Sequence, residues 1–216
     1  MDLKLIYGNM RALCEAPQMM LHYADIPYEY KMVWDHYGSS WAEVKKDIIF
    51  NRLPILIINE DKYLWQSNTI IRYLSNLTKT KPSDEFQLAY CDAVFESTHE
   101  MFSPLNPTIN MTFGEKYNSN KKKLLEDILP NSLNNFDKLL QNSSGNFFIG
   151  NDPFYCDFNA YHHFSMCLIL DKNIFSNFPN LKKFINNFEK LNNIKNYLDG
   201  RPELVEPVSY THLRAH

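Results

Sequence analysis

Two short segments on either side of an apolar hairpin contain groups that could bind a ligand. Leu53-Pro54 precede the apolar run at residues 55–58, and Gln66-Ser67 follow a second run that ends at Trp65. A proline that opens a strand beside the N-terminus of a helix can present free backbone groups and an anion site together. The simpler interpretation is structural, with Pro54 as a strand starter and Ser67 as an N-cap.

Hydrophobic spacing and turn residues predict the elements that position these segments. The run at residues 55–58 is β-branched, which is typical of a short strand buried on both faces. Residues 59–62 are a polar turn, and residues 63–65 return as the second strand of a hairpin. The helix that follows is predicted at residues 67–77, with an inward face made by Ile70, Ile71 and Leu74.

The residues before the hairpin complete a mixed α/β domain at residues 1–77 in the order β-α-β-α-β-β-α. Pro17 is tolerated only in the first turn of its helix, and Ser39-Ser40 can cap a short helix that carries Trp41, Val44 and Lys45. The other predicted elements are a strand at residues 3–7, a helix at 14–24 and a strand at 28–33.

Beyond a polar linker at residues 78–83, the apolar spacing becomes helical and predicts an all-helical domain at residues 84–205. Ser83 is the expected cap of the first helix, which Pro104 and Pro107 are expected to disturb or end. The remaining helices are predicted at residues 121–140, with an interruption near Pro130, and at 155–170, 181–188 and 194–198. Residues 206–216 do not continue the pattern and are interpreted as a tail of non-native origin.

The composition argues against several classes of function. The chain has 216 residues and a formal charge of −3, which gives no reason to expect nucleic acid or an anionic membrane as a partner. The sequence shows neither a signal peptide nor an apolar run of about 18 residues that could span a membrane. The four cysteines lack metal-ligand spacing, so we expect no zinc site or disulfide framework and favour a reducing, cytoplasmic setting.

Six segments, in their order and spacing, resemble those of the cytosolic glutathione transferases, above all the sigma and mu classes and the malarial-type enzyme. The resemblance covers residues 2–202. It implies a thioredoxin-like domain followed by an all-helical domain, with glutathione as co-substrate, a hydrophobic electrophile, no cofactor or metal, and a homodimer. The segments are residues 5–11, Trp41 with Lys45, Leu53-Pro54, Gln66-Ser67 with residues 71–74, residues 155–158 and residues 194–197.

The resemblance implies a catalytic role for Tyr7 and a cis peptide bond between Leu53 and Pro54. The hydroxyl of Tyr7 would donate a hydrogen bond to the glutathione sulfur and favour the nucleophilic thiolate. The cis bond would turn the backbone groups of Leu53 toward the cysteinyl part of the tripeptide, which would pair like an added strand. By pattern alone, Tyr7 is a tyrosine at a strand end with its ring in the core.

The two carboxylates of glutathione are matched to two further groups of residues. Gln66 and Ser67 would hold the γ-glutamyl end at a helix N-terminus. The glycine carboxylate would lie near an indole N–H and two cations, supplied by Trp41, Lys45 and Arg52. On a solvated helix face, Lys45 would otherwise be an ordinary surface lysine.

Two acids have roles that the resemblance implies. Asp92 would contact the amino group of the glutathione that is bound to the partner subunit, so its role depends on dimerisation. Asp157 would be a structural acid that caps backbone N–H groups. The resemblance and rough position also predict the wall of the electrophile pocket, which comprises Gly8, Met10, His99, Phe102 and Ser103.

The chain departs from the family pattern at four positions. Phe154 replaces the usual Ser or Thr three residues before Asp157, so the capping box is incomplete. Leu13 stands where sigma enzymes carry an arginine near the sulfur, and Gly8 replaces an aromatic residue after the tyrosine. Cys14 is not at the position that cysteine-dependent classes use.

The predicted function is therefore conjugation of glutathione to electrophilic small molecules, as in detoxification. One alternative is a glutathione-dependent isomerase of the prostaglandin D synthase kind, which would use the same thiolate. The other is a non-catalytic member that binds ligands or serves a structural purpose.

Overall fold

A four-stranded mixed sheet organises the first 77 residues of the computed structural model, which describes residues 1–201. The strand order is β2-β1-β3-β4, with β1 parallel to β2 and antiparallel to β3, and β3 antiparallel to β4. The elements are β1 (Leu3–Tyr7), α1 (Glu15–Tyr23), β2 (Glu29–Met32), α2 (Val33–Tyr37), α3 (Trp41–Val44), β3 (Ile55–Ile58), β4 (Lys62–Trp65) and α4 (Ser67–Leu77).

This arrangement is the predicted thioredoxin-like domain, and its core follows from the apolar strands. All four residues of β3 are buried, as expected for a strand covered on both faces. On one side, Trp41 and Leu53 pack against a cluster of buried aliphatic residues, which comprises Ile6, Val33, Ile48, Ile55 and Ile57. On α4, the predicted inward residues Ile70, Ile71 and Leu74 are buried.

The described chain divides into two compact units, and the division differs from the predicted domains at one helix. Unit 1 comprises Met1–Lys81 and Asn192–Tyr197, and unit 2 comprises the residues between them and those after Tyr197. The change from unit 1 to unit 2 at Lys81 falls within the predicted linker at residues 78–83. The segment Asn192–Tyr197 was expected in the helical domain, but it joins unit 1 because its side chains pack on α1.

Unit 2 is built from helices, as predicted, and its core is rich in aromatic residues. The buried rings include Phe158, Phe164, Phe184 and Phe188, which α8 and α9 contribute. Its elements are α5 (Glu85–Met111), α6 (Gly114–Lys123), a π-helical turn (Leu124–Ile128), α7 (Leu129–Gln141), α8 (Tyr155–Leu170) and α9 (Pro179–Glu189), followed by α10 (Asn192–Gly200), which spans the boundary.

Pro104 and Pro107, which were expected to disturb or end the first helix of unit 2, do not end it. Both prolines lie inside α5, which continues to Met111. A proline inside a helix costs about 3 kcal/mol, but burial of neighbours such as Phe102 and Leu105 offsets that cost. The cap of this helix is Asp84, which accepts a hydrogen bond of 2.8 Å from the backbone of Gln87, rather than Ser83.

The predicted helix at residues 121–140 begins earlier, and its interruption lies near Pro130, as predicted. It starts as α6 at Gly114, and the interruption is the π-helical turn Leu124–Ile128. Pro130 lies in the first turn of α7, directly after the π-helical turn. Its ring provides no N–H for the carbonyl four residues earlier, at Glu126 within that turn. No helix within residues 1–201 is long and apolar enough to cross a membrane. The predicted tail at residues 206–216 lies outside the described residues.

Candidate active site

The strand register brings the predicted glutathione-binding segments of unit 1 to one end of the sheet. Ile6 pairs with Ile55, and Ile55 pairs with Trp65, so the last residues of β1 and β4 flank the first residue of β3. The segments that precede β3 and follow β1 and β4 therefore meet at this end. The predicted residues gathered there are Tyr7, Leu53, Pro54, Gln66 and Ser67.

Tyr7, the last residue of β1, is held by a hydrogen bond to its hydroxyl oxygen. The side chain is 6% exposed, and the backbone N–H of Leu13 donates to its hydroxyl at 3.2 Å. A 3₁₀ turn at Ala12–Cys14 presents this N–H, and Ala12 has a φ of +27°. A donor at the phenol oxygen stabilises negative charge there, which strengthens the hydroxyl as a hydrogen-bond donor.

The residue after Tyr7 is fixed from the neighbouring strand. The hydroxyl of Tyr30 on β2 donates a 2.7 Å hydrogen bond to the carbonyl oxygen of Gly8. Burial is the main cause that raises the pKa of Tyr30, so its hydroxyl remains a donor at neutral pH. A Cβ built on Gly8 would meet no atom within 4 Å. The position is therefore open, as expected where a glycine replaces an aromatic residue.

The Leu53–Pro54 peptide bond is cis, as the resemblance implies. Pro54 is buried, and Leu53 packs against the aliphatic cluster of unit 1. Strand β3 begins at Ile55, so the backbone of Leu53 lies just beyond the ladder. An extended ligand could continue the pairing at this point.

The helix after β4 begins at Ser67, as predicted, but its N-cap differs from the predicted Ser67. The N-cap is Gln66, with φ +69° and ψ +118°, and Ser67 is the first helical residue. No side chain hydrogen-bonds as a cap to the first turn of this 11-residue helix, and no acidic residue lies in that turn. Ser67 is 8% exposed. The helix N-terminus retains backbone donors that suit a carboxylate.

The residues predicted for the glycine carboxylate lie on the segment between β2 and β3. Ser40 is the N-cap of α3, and its backbone N–H and hydroxyl donate to a Glu43 carboxylate oxygen at 3.0 and 2.8 Å. This cap orients Trp41, which packs on the aliphatic cluster. Lys45, which follows α3, and Arg52 are exposed. This segment of the chain therefore carries both the indole of Trp41, which is fixed by its packing, and the two exposed cations Lys45 and Arg52.

Asp92 is a half-buried residue of α5 in unit 2, and its own chain engages its carboxylate. The hydroxyl of Tyr155 at the start of α8 donates to Asp92 Oδ1 at 2.9 Å. Burial is the main cause that raises the pKa of Tyr155, with contributions from Cys91 and Asp92. The predicted contact of Asp92 with a partner's glutathione stays a prediction.

The predicted electrophile-pocket residues occupy different environments. Gly8 and Met10 in unit 1 are half-buried, as is His99 in unit 2, and Ser103 is exposed. Phe102 is 1% exposed and stacks on His163 with ring centroids 4.0 Å apart. It is therefore a buried side chain of unit 2, and its assignment to the pocket wall stays a prediction.

Asp157 has the structural role that the sequence predicts. Its two carboxylate oxygens accept backbone hydrogen bonds from Phe148 at 3.1 Å and Phe154 at 2.8 Å. Complete burial raises its pKa to about 7, although these hydrogen bonds act in the opposite direction. The capping box is incomplete, as expected, because the Phe154 side chain has no acceptor, so the backbone N–H of Asp157 donates to the Phe154 carbonyl.

Sequence reasoning missed the Leu13 N–H at the Tyr7 hydroxyl and the pair formed by Glu15 and Tyr197 at the start of α1. The backbone N–H of Leu13 could not be foreseen, because its direction depends on the conformation of a turn. Glu15 and Tyr197 are joined by a hydrogen bond of 3.1 Å. The sequence carried a signal for Glu15, since this acid is flanked by the apolar residues 12–14 and 16–17.

Neither cysteine chemistry nor a metal centre competes with this site within residues 1–201. All four cysteines are buried and reduced, and burial raises the pKa of Cys14. No cluster of histidine, cysteine and acidic residues among the described residues could hold a metal ion.

Comparisons with known proteins agree with this fold. The N-terminal domain model of glutathione S-transferases matches residues 1–76, and a model of their C-terminal domain matches residues 99–201. A glutathione S-transferase of Plasmodium yoelii yoelii is 31% identical over 173 residues, which is 78% of this chain and 79% of that protein. Glutathione S-transferase P of Caenorhabditis elegans is 29% identical over 213 residues, covering 97% of this chain and 98% of that protein.

A solved structure of a glutathione S-transferase is also similar to this chain. The pi-class glutathione S-transferase of Onchocerca volvulus has a TM-score of 0.81 and 25% identity, covering 93% of this chain and 94% of that chain. This chain belongs to the glutathione S-transferase family.

Proposed function

We propose that this protein is a glutathione transferase that conjugates the thiolate of glutathione to hydrophobic, electrophilic small molecules. One observation carries the proposal. The hydroxyl of Tyr7, supported by the Leu13 N–H, lies at the sheet end that also carries the cis Leu53–Pro54 bond and the N-terminus of α4. Glutathione is the co-substrate, and the reaction uses no other cofactor.

In this proposal Tyr7 activates the thiol. A thiol has an ordinary pKa of about 8.5, so little thiolate is present at neutral pH without assistance. A hydrogen bond from the Tyr7 hydroxyl favours the thiolate, and the thiol proton passes to solvent. The sulfur then forms a bond to the electrophilic carbon, which expels a leaving group with its electron pair or takes up a proton on the adjacent atom.

The tripeptide is held mainly by backbone groups. The N–H and C=O of Leu53 pair with the cysteinyl residue as an added strand beside β3. The γ-glutamyl carboxylate binds the N-terminus of α4, where Ser67 is the first residue and the helix dipole favours an anion. Gln66 adds a side-chain amide.

The glycine carboxylate binds Trp41, Lys45 and Arg52. Trp41 has a fixed position because it packs on the aliphatic cluster, and its indole N–H can donate to the carboxylate. Lys45 and Arg52 are exposed, so they supply electrostatic attraction that salt screens. Holding both ends of the tripeptide directs its sulfur toward Tyr7, which is catalysis by positioning.

We also propose a homodimer in which Asp92 contacts the amino group of glutathione bound to the partner subunit. The hydrogen bond from Tyr155 supports this role because it fixes the Asp92 carboxylate. We place the enzyme in the cytoplasm, and the four reduced, buried cysteines support a reducing compartment.

The test combines calorimetric titration of glutathione with a conjugation assay on 1-chloro-2,4-dinitrobenzene. We expect the wild type to bind and to turn over. Tyr7→Phe should lower kcat about 100-fold, since one donor to a developing anion is worth this much, while glutathione affinity changes little. Binding without turnover over a panel of electrophiles would support the non-catalytic alternative. Equal rates for wild type and Tyr7→Phe would remove Tyr7 from this role.

A further inference from the structure

Glu15 is a buried carboxylate at the start of α1 that accepts a hydrogen bond from a residue far along the chain. It is 1% exposed, and its Oε2 atom accepts from the hydroxyl of Tyr197 at 3.1 Å. A buried carboxylate is costly unless it is hydrogen-bonded. The hydroxyl of Tyr197 therefore stabilises Glu15 in its position as the first residue of α1.

Further contacts hold the segment Asn192–Tyr197 against α1. The ring of Tyr197 lies 4.5 Å from that of His22 between centroids. Asn193 Nδ2 donates to the carbonyl of Tyr23 at 3.3 Å, and Ile194 is fully buried. The position of Tyr197 relative to Glu15 is thus fixed by packing as well as by the hydrogen bond itself.

Glu15 directly follows the turn that supplies the hydrogen bond to Tyr7. The turn Ala12–Cys14 begins at a φ of +27°, which a residue other than glycine rarely adopts. Such a conformation persists only where the surrounding structure holds it. A restraint at Glu15, two residues after Leu13, therefore affects how the Leu13 N–H meets the Tyr7 hydroxyl.

We propose that Tyr197 and Glu15 are positioning residues for the thiol-activating tyrosine, a role that rests on the proposed function of Tyr7. Tyr197 restrains Glu15, Glu15 fixes the end of the Ala12–Cys14 turn, and the turn directs the Leu13 N–H at the phenol oxygen. Loss of this restraint weakens thiolate stabilisation, because the Tyr7 hydroxyl becomes a poorer donor. No group assigned to glutathione binding is removed.

The test titrates the thiol of bound glutathione against pH, following the ultraviolet absorption of the thiolate. Tyr197→Phe should raise the titration midpoint by about 0.5 pH unit, and it should lower kcat about threefold near neutral pH with KM for glutathione unchanged. Tyr161→Phe is the matched control, because it removes a phenol–carboxylate hydrogen bond of 3.0 Å to Glu189 within unit 2. It should leave the midpoint unchanged.

A second pair of variants tests the same inference at Glu15. Glu15→Gln keeps an acceptor oxygen for Tyr197 and should retain a midpoint close to the wild type, whereas Glu15→Ala should shift it as Tyr197→Phe does. These variants decide the question if Tyr197→Phe does not fold.

The outcomes separate this inference from the proposed function. A Tyr197→Phe protein with lower stability but a wild-type midpoint would show that the pair is only structural, and the inference would be overturned alone. A Tyr7→Phe protein that titrates with the wild-type midpoint would overturn both.

Discussion

The hydroxyl of Tyr155 donates a hydrogen bond of 2.9 Å to Oδ1 of Asp92, and so joins the start of α8 to α5 across 63 positions of sequence. Asp92 is half-buried, so solvent screens this interaction less than it would at the surface. The acid proposed to contact a partner's glutathione is therefore oriented by its own chain before any ligand binds.

Replacement of Tyr155 by phenylalanine should affect both stability and binding. A hydrogen bond to a charged group contributes about 1.5–3 kcal/mol, and Tyr155→Phe should lower the free energy of unfolding by about this amount in urea. KM for glutathione should rise if Asp92 acts as proposed. Tyr90 is half-buried on α5, as Asp92 is, and its hydroxyl has no hydrogen-bond partner within residues 1–201. The variant Tyr90→Phe is therefore the control. Equal stability of the two variants would contradict the prediction.

The buried carboxyl group of Asp157 should make the protein less stable as pH rises. Its pKa is raised from an ordinary 3.8 to about 7, so between these values the folded state keeps a proton that the unfolded state releases. The free energy of unfolding therefore falls by at most about 1.4 kcal/mol per pH unit from this group, and the fall ends above about pH 7. Urea unfolding from pH 4.5 to 7.5 checks this as a difference between wild type and Asp157→Asn. A difference independent of pH would contradict it.

His163, also on α8, should have the opposite effect. Burial lowers its pKa well below 6.5, with His162 and His99 adding to the shift and the hydrogen bond to the Thr98 carbonyl opposing it. Its contribution to stability is complete above pH 6.5 and is lost as pH falls below that value, because the unfolded state then binds the additional proton. His163→Gln should therefore lack this loss, so that acidification shows the stabilising effect of Asp157 without opposition.

The effects of Asp157 and His163 oppose each other over an acidic range, so the wild-type stability should vary less with pH there than that of either variant. Asp157→Asn should expose the loss of stability on acidification that His163 causes. Identical pH profiles for all three proteins would show that neither group titrates on unfolding.

Gly8 should control which electrophiles are used, since a Cβ added there has open space. Gly8→Phe should fold with a stability within about 0.5 kcal/mol of the wild type. It should change the ratio of kcat/KM between a small and a bulky electrophile by about tenfold, with KM for glutathione unaltered. Gly8→Ala should give an intermediate ratio. An unchanged ratio in both variants would exclude Gly8 from the pocket wall.

The residue at position 66 should affect stability and glutathione binding in opposite directions. Its φ of +69° with ψ of +118° is unfavourable for a residue with a side chain, so Gln66→Gly should raise the free energy of unfolding by about 1 kcal/mol. KM for glutathione should rise because the amide is lost. Lys79→Gly is the control, as Lys79 has a φ of +57° in the same unit. That variant should gain stability without a change in KM.

Local patterns in the sequence were sufficient to predict most elements of unit 1. The β-branched run at Ile55–Ile58 and the turn after it predict the hairpin, and the spacing of Ile70, Ile71 and Leu74 predicts α4. The antiparallel pairing of β1 with β3, which these local patterns do not specify, brings the end of β1 at Tyr7 to the start of β3 beside Pro54.

The features that the sequence did not predict depend on tertiary packing. Pro104 and Pro107 remain helical because buried neighbours on α5 offset their local cost. The stacking of Phe102 on His163 likewise depends on the packing of α5 against α8. The left-handed backbone of Gln66 and the direction of the Leu13 N–H are conformational details that no residue type specifies by itself.

The burial of all four cysteines has a practical consequence for labelling. Burial raises the pKa of Cys14 and that of Cys156, and it raises the pKa of Cys167 to about 12. These three thiols are therefore poorly ionised in the folded protein, and their burial shields them from maleimide reagents. A cysteine introduced at the exposed Glu60 would then react selectively. Glu60 lies in the β3–β4 turn, at the end of the sheet opposite Tyr7, so a fluorophore there could report unfolding while leaving the proposed glutathione site unobstructed.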